Sequence, residues 1–179
     1  MRGMNQDIPQ DRVDRALAEW QAACPDLDLS ASAVTLRLVL LGRYIEQQAK
    51  TSFAPFDIQP WEFDVLATLR RKGEPYELSA GELARSVLMT CSGMTHRLDR
   101  LQARGLVERA ASPSDRRQVL VRLTPAGREL VDTAVQRRTE SARRLMGLFS
   151  TEEAAHLTGD LRRLLIALEQ GGGCCESSP

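Results

Sequence analysis

The sequence predicts a mainly α-helical protein that contains a small β-hairpin. Apolar residues recur at helical spacing through most of the 179 residues, and "SAGE" at 79–82 and "STEE" at 150–153 are capping boxes that mark helix starts. The pattern changes at "LVERA" and "QVLVRL", where apolar and polar residues alternate as they do in strands. The stretch "ASPSDRR" between them has the composition of a turn, so the two segments form a hairpin.

Each predicted helix has a physical boundary. The helices cover residues 10–23, 31–53, 60–72, 79–87, 90–104, 124–148 and 150 onward. Pro25 ends the first helix, Gly105 is a C-terminal cap for the fifth, and Thr124 caps the sixth. Because both sides of the segment 34–41 are apolar, the second helix is either fully buried or shared with a partner chain.

A helix–turn–helix followed by a hairpin is the winged helix–turn–helix arrangement. Its second helix enters the major groove of DNA, and the hairpin lies on the flanking backbone or in the minor groove. The charge distribution agrees, although the net charge of the whole chain is zero. Between Arg85 and Arg128 there are nine basic residues and three acidic ones, a local balance of +6. Such a basic stretch in an otherwise acidic chain indicates a region that binds a polyanion.

Other classes of protein find little support. The two histidines, His96 and His156, have no carboxylate or cysteine at catalytic spacing, and we find no Gly-rich phosphate loop or cluster of metal ligands. We therefore expect no enzyme, no cofactor and no metal. No apolar run resembles a signal peptide or a membrane span, so we expect a cytoplasmic protein with no membrane partner.

The helix predicted at 90–104 has one apolar side and one polar side. Met94, Leu98 and Leu101 form the stripe that packs on the domain. The opposite, DNA-facing side consists of Ser92, Thr95, His96, Asp99 and Ala103, with Arg100 and Arg104 flanking it. Ser92 and Thr95 can contact phosphates or bases, and His96 can donate to a guanine or a phosphate.

The hairpin tip carries two adjacent arginines, Arg116 and Arg117. A narrow A·T-rich minor groove is strongly negative and attracts inserted arginine side chains. Asp115 is unusual at a tip that faces DNA, and we interpret it as an intramolecular partner that fixes the direction of one arginine.

The segments "SGMTHRLDRLQARGLVER" and "DRRQVLVRLTPAGREL" resemble the MarR family of bacterial transcription regulators over about residues 31–168. The resemblance implies a homodimer that binds a pseudo-palindromic DNA operator, usually as a repressor released by a small molecule. It also implies that Asp115 and Arg117 are the ion pair and the minor-groove arginine of the wing. The predicted domains are then N-terminal helices at 1–58 (an extra helix at 10–23 and a dimerisation helix at 31–53), a DNA-binding domain at 59–123, C-terminal dimerisation helices at 124–170 and a disordered tail at 171–179.

A second group of residues fits the DNA-binding domain less well. Arg97 leans toward the core, where an unpaired charge costs several kcal/mol and needs a partner or an anion. Trp20, Asp64, Arg97 and Arg109 occur in the order found in the urate-responsive, PecS-like branch of the MarR family, which this chain resembles. The resemblance implies that a planar anion such as urate stacks near Trp20, binds Arg97 and disturbs an Asp64–Arg109 ion pair.

Simpler interpretations remain open. Trp20 could anchor its helix in the core, and Asp64 with Arg109 could form a static salt bridge. A regulator of the same fold could respond to oxidation of Cys24 or of Cys91, which begins the predicted recognition helix. A winged helix that binds only protein is the remaining alternative, and binding to DNA that weakens steeply with salt would exclude it.

Overall fold

Seven α-helices and three short strands make up the part of the chain that the computed structural model describes, which is residues 9–87, 93–113 and 118–171. The helices are α1 Arg12–Ala23, α2 Ser30–Phe53, α3 Pro60–Arg71, α4 Ala80–Ser86, α5 Met94–Ala103, α6 Pro125–Met146 and α7 Thr151–Gln170. The strands are β1 Glu77–Ser79, β2 Val107–Ala111 and β3 Val119–Leu123, and a 3₁₀ turn covers Ala54–Phe56. This architecture confirms the predicted fold class.

The sheet differs from the prediction by one strand. β2 and β3 form the expected antiparallel hairpin, and β1 pairs with the other edge of β3 to give the order β1-β3-β2. Leu78 lies opposite Val121, and Glu77 lies opposite Arg122. A strand of three residues is too short to show alternation in the sequence, and β1 leads directly into the cap of α4. The strand therefore had no sequence signature of its own.

Helix boundaries follow the predicted caps closely. The Ser79 hydroxyl accepts a hydrogen bond from the Glu82 N–H at 3.2 Å, and Ser150 and Glu153 repeat this arrangement at α7. Thr124 caps α6 by accepting from the Gly127 N–H at 3.0 Å, and its hydroxyl also donates to the Gly105 carbonyl at 2.7 Å. The described α5 begins at Met94, after Gly93, and residues 90–92 of the predicted helix lie outside the described residues.

The chain divides into two compact units, residues 1–48 and 49–179, and the boundary falls within α2. In the first unit Arg37 of α2 binds two carboxylates at the start of α1. Its Nε atom donates to Asp11 at 2.9 Å and its Nη2 atom donates to Asp14 at 2.5 Å. Asp11 also caps α1, so this pairing ties the helix start to α2.

The second unit holds the principal hydrophobic core. Fully buried side chains come from α3, α4, α5, the hairpin and α6, and they include Leu66, Leu69, Leu83, Leu101, Val121 and Val131. Gly127 lets α6 approach the chain segment that precedes β2, because a Cβ atom there would lie 2.0 Å from the Leu106 carbonyl oxygen. Close packing at this point holds the start of α6 against the wing.

Most of the large apolar residues of α2 are exposed. They are Val34, Leu36, Leu38, Val39, Leu41 and Ile45, whereas Ala49 and Phe53 near its C-terminal end are buried. The interpretation of a fully buried helix is therefore wrong, and the interpretation of a helix shared with a partner chain stays a prediction. Among the described residues, no helix is both long enough and apolar enough to cross a membrane.

Candidate DNA-reading site

Helix α5 presents the polar face that the sequence predicts. Leu98 and Leu101 are buried, and Met94 packs at the edge of the core. On the opposite side Thr95, His96 and Asp99 are exposed, with the His96 side chain 94% accessible. The start of the described helix therefore presents exposed polar side chains.

A buried carboxylate at the start of α3 holds the other side of α5. Glu62 is fully buried and its Oε2 atom accepts from the Gln59 N–H at 2.7 Å. Its Oε1 atom lies 3.2 Å from Nε of Arg100 and 3.4 Å from Nη1 of Arg104. Glu62 was not among the predicted site residues. Its position three residues after Gln59, the N-cap of α3, is nevertheless a helix-start signal.

Trp61, also absent from the predicted site, packs against two arginines of α5. The guanidinium carbon of Arg97 lies 5.2 Å from the centroid of the indole ring, and that of Arg100 lies 5.8 Å from it. Both distances are within the range of cation–π attraction, which contributes about 0.5–1 kcal/mol at exposed sites. Arg97 is thus half-buried against an aromatic face, as its position on the helix led us to expect.

Arg104 fastens the C-terminal end of α5 to the 3₁₀ turn. It donates to the carbonyl oxygen of Asp57 at 2.6 Å and to that of Phe56 at 3.2 Å. Together with Glu62, these acceptors hold the guanidinium from several directions, so Arg104 is a structural residue of the second unit.

Arg109 does not make the predicted ion pair with Asp64. Among the described residues, its carboxylate partner is Asp99 of α5, and its Nε atom also donates to Oε1 of Gln102 at 2.5 Å. The prediction was wrong because β2 runs beside α5, which brings Arg109 to the solvent side of that helix. Arg109 therefore couples the wing to the recognition helix.

Asp64 lies on α3 in a partly buried position near several cations. Burial raises the pKa of its carboxyl group, while the positive charges of Arg138, Arg71 and Arg97 partly oppose that rise. Asp64 and Arg97, two of the predicted ligand-binding residues, are therefore close enough to interact electrostatically.

Of the remaining predicted residues, Trp20 and Cys24 lie in the described part of the chain, and five lie outside it. Trp20 belongs to the first unit, and its side chain is 57% exposed, so the interpretation of a tryptophan buried in the core is wrong for this chain. Cys24, just after α1, is exposed. The residues outside the described ranges are Cys91, Ser92, Asp115, Arg116 and Arg117. The described residues contain no cluster of three or more potential metal ligands.

Comparison with known proteins identifies the family. The MarR family model matches residues 56–118, which run from the 3₁₀ turn through β2. The transcriptional regulator PecS of Dickeya dadantii (strain 3937) is 34% identical over 152 residues, covering 85% of this chain and 92% of PecS.

Two solved structures agree with that match. A mutant of E. coli MarR complexed with operator DNA is 27% identical with a TM-score of 0.66, covering 78% of this chain and 99% of that one. Bordetella bronchiseptica BpsR, whose DNA binding is regulated by 6-hydroxynicotinic acid, is 25% identical with a TM-score of 0.65, covering 73% of this chain and 91% of BpsR. The chain belongs to the MarR family and is a DNA-binding transcriptional regulator.

Proposed function

We propose that this regulator is a homodimeric repressor that binds a pseudo-palindromic operator and is released by a small planar anion such as urate. The observation that carries the DNA-binding part is the exposed polar face of α5, which Arg109 joins to the wing. A helix and a wing coupled in this way can contact adjacent grooves as one body.

Within that proposal, Thr95 and His96 contact base edges or phosphates from the start of α5, and Ser92 and Arg100 flank them. Asp115, Arg116 and Arg117 keep the roles predicted for the wing, with Arg117 in the minor groove. The operator complex of the related E. coli protein supports this mode of binding. The large local excess of basic residues between Arg85 and Arg128 supports it independently.

Dimer formation is supported by the apolar surface of two helices. Large apolar side chains are exposed on α2 and again on α7, where Leu161, Leu164, Leu165, Ile166 and Leu168 are accessible. Contiguous exposed apolar surface of this kind marks a protein interface. A two-fold dimer covers the same surface on both protomers and places two recognition helices on the two half-sites of a pseudo-palindrome.

The proposed effector binds through Arg97. An anion that pairs with the Arg97 guanidinium would draw it away from the Trp61 ring and change the charge around Asp64. Because Arg97 lies on the recognition helix, such a movement alters the presentation of α5 to DNA. Regulation of BpsR by 6-hydroxynicotinic acid shows that a related protein responds to a planar acid of this chemical class. The stacking role of Trp20 remains a prediction from the sequence.

One titration series tests both parts of the proposal. Fluorescence anisotropy measures the affinity of the wild type, Arg117→Ala and Arg97→Ala for a labelled duplex from the regulator's own upstream region, with and without urate. We expect Arg117→Ala to weaken binding at least about tenfold, because it removes a charge-assisted contact. Arg97→Ala should bind DNA nearly as well as the wild type but should not be released by urate or by 6-hydroxynicotinic acid.

Arg143→Ala is the matched control, because Arg143 is an exposed arginine on α6 whose carboxylate partner, among the described residues, is Glu140 three positions away. It should match the wild type in both assays. Unchanged affinity of Arg117→Ala would remove the wing assignment. A wild-type effector response in Arg97→Ala would show that the effector binds elsewhere.

A further inference from the structure

The buried carboxylate of Glu62 and Arg100 of the recognition helix form an ion pair whose two members differ in burial. Glu62 is completely buried, whereas half of the Arg100 side chain is exposed. A buried charge is costly to leave without a partner, so Glu62 attracts its cations strongly. Arg100 can instead turn toward solvent or toward a phosphate, since its exposed half loses little solvation by doing so.

Arg104, the second partner of Glu62, is held in place more firmly. Arg104 is three-quarters buried, and the carbonyl oxygens of Asp57 and Phe56 also hold it. If the charge of Glu62 is removed, Arg104 keeps these two acceptors, while Arg100 loses this carboxylate and keeps its contact with the Trp61 ring. The two arginines therefore differ in how freely they can reach DNA.

We propose that Glu62 is a positioning residue that sets the specificity of DNA reading by holding Arg100 away from phosphates. On a duplex that α5 does not fit, Arg100 stays with Glu62 and adds nothing to non-specific attraction. On the operator, close docking of α5 brings Arg100 within reach of DNA, and the contact forms only there. This inference rests on the proposed function, in which α5 enters the major groove.

Glu62→Gln tests the proposal directly. A glutamine at this position still accepts from the Gln59 N–H, so the start of α3 keeps its cap. Affinity for an unrelated duplex should rise, and the slope of log affinity against log salt should steepen by about 0.9 per protomer, the value for one added phosphate contact. The ratio of operator affinity to non-specific affinity should fall about tenfold per protomer, the size of effect that one charge-assisted contact produces.

A purely structural role for Glu62 would lower the unfolding midpoint without steepening that slope. An unchanged slope and an unchanged ratio in a folded Glu62→Gln variant would overturn the proposal. In the double variant Glu62→Gln with Arg100→Gln, the gain in non-specific affinity should disappear. If the gain persists, Arg100 is not its source and the proposal fails.

Arg100→Gln alone keeps the proposal testable if Glu62→Gln does not fold. It leaves Glu62 paired with Arg104, and it should not change the salt slope on an unrelated duplex, because Arg100 is already withheld there. A slope shallower by about 0.9 per protomer would show that Arg100 contacts phosphates non-specifically, which contradicts the proposal. If the wild type binds no duplex at all, the proposed function itself is refuted. That outcome is distinguishable from a result that refutes only the role of Glu62.

Discussion

The DNA-reading region and the two long flanking helices bury their apolar residues in different ways. Around α3 and α5, leucines such as Leu66 and Leu101 are completely buried within one chain. On α7, Leu165 and Leu168 are 57% and 61% exposed, and α2 has several similar residues. The first region completes its core alone. On the flanking helices, exposed apolar surface of this extent agrees with the proposed dimer, in which a second copy of the chain covers it.

The charged residues follow the same division. In the DNA-reading region, ion pairs join different elements, as Glu62 joins α3 to α5 and as Arg109 joins the wing to α5. At the end of α6 and along α7, the ion pairs join residues three or four apart on one exposed helix, such as Arg163 with Asp160. Exposed pairs of this kind contribute about 0–1 kcal/mol, so they add little to the stability of α6 and α7.

The largest effect should come from placing a charge on the exposed apolar face of α2. Val39→Glu puts a carboxylate where the proposed dimer buries a valine, and the two-fold symmetry introduces it twice. An unpaired buried charge costs about 3–5 kcal/mol, so dimer dissociation should increase at least about 100-fold. Sedimentation equilibrium measures the dissociation constant.

Gln136→Glu is the control, because it adds the same charge at an exposed position on α6. It should leave the association unchanged. If Val39→Glu remains as tightly associated as the wild type, this face of α2 is not the dimer interface. The exposed apolar residues of α2 would then need another explanation than assembly.

Features that are local in the chain could be predicted from the sequence. The caps at Ser79, Thr124 and Ser150, the hairpin strands and the polar face of α5 all depend on residues within a few positions of one another. Each has a spacing that physical chemistry fixes, such as the three residues of a capping box or the alternation of a strand. The fold class follows from the order of these elements.

Features that join distant parts of the chain were the ones missed. Glu62 and Arg104 are 42 residues apart, and nothing in either neighbourhood indicates that they meet. Arg109 was assigned to Asp64 by resemblance, whereas the path of β2 beside α5 gives it Asp99. The strength of such pairs depends on burial and on the angle between elements, and a local sequence pattern determines neither quantity.

A matched pair of glycines tests the difference in packing between the two regions. In Gly127→Ala the new methyl group would meet the Leu106 carbonyl oxygen, which belongs to the backbone and cannot turn away. Overpacking of this kind costs about 1–3 kcal/mol. In Gly159→Ala, on α7, the methyl group has no neighbour within 4 Å, so the change should stabilise the helix by about 0.5–1 kcal/mol.

Urea unfolding at a fixed protein concentration measures both changes. The expected result is a lower midpoint for the first variant and a higher midpoint for the second. Equal destabilisation by both variants would mean that α7 is packed as closely as the start of α6. A partner chain packed against α7 would produce this result, and repeating the measurement at a lower protein concentration would test for it.

The smallest effect should come from Asp64, the partly buried carboxylate of the DNA-reading region. Its pKa is raised by burial, so its ionised form is disfavoured in the folded chain despite the cations of Arg138, Arg71 and Arg97. A raised pKa in the folded state means that this group lowers stability as pH rises through that pKa. Asp64→Asn should therefore raise the melting temperature at about pH 7 and change it little at acidic pH, where the carboxyl is protonated in both states.

Differential scanning calorimetry across this pH range measures the change, and Asp160→Asn on α7 provides an exposed control. Asp160 pairs with Arg163 on the helix surface, so its removal should not reproduce the rise in melting temperature at neutral pH. A lower melting temperature of Asp64→Asn at neutral pH would show that the arginines stabilise the carboxylate by more than its burial costs. In that case Asp64 would belong with Glu62 among the charges that hold this region together, and an anion bound at Arg97 would weaken the fold as well as the contact with DNA.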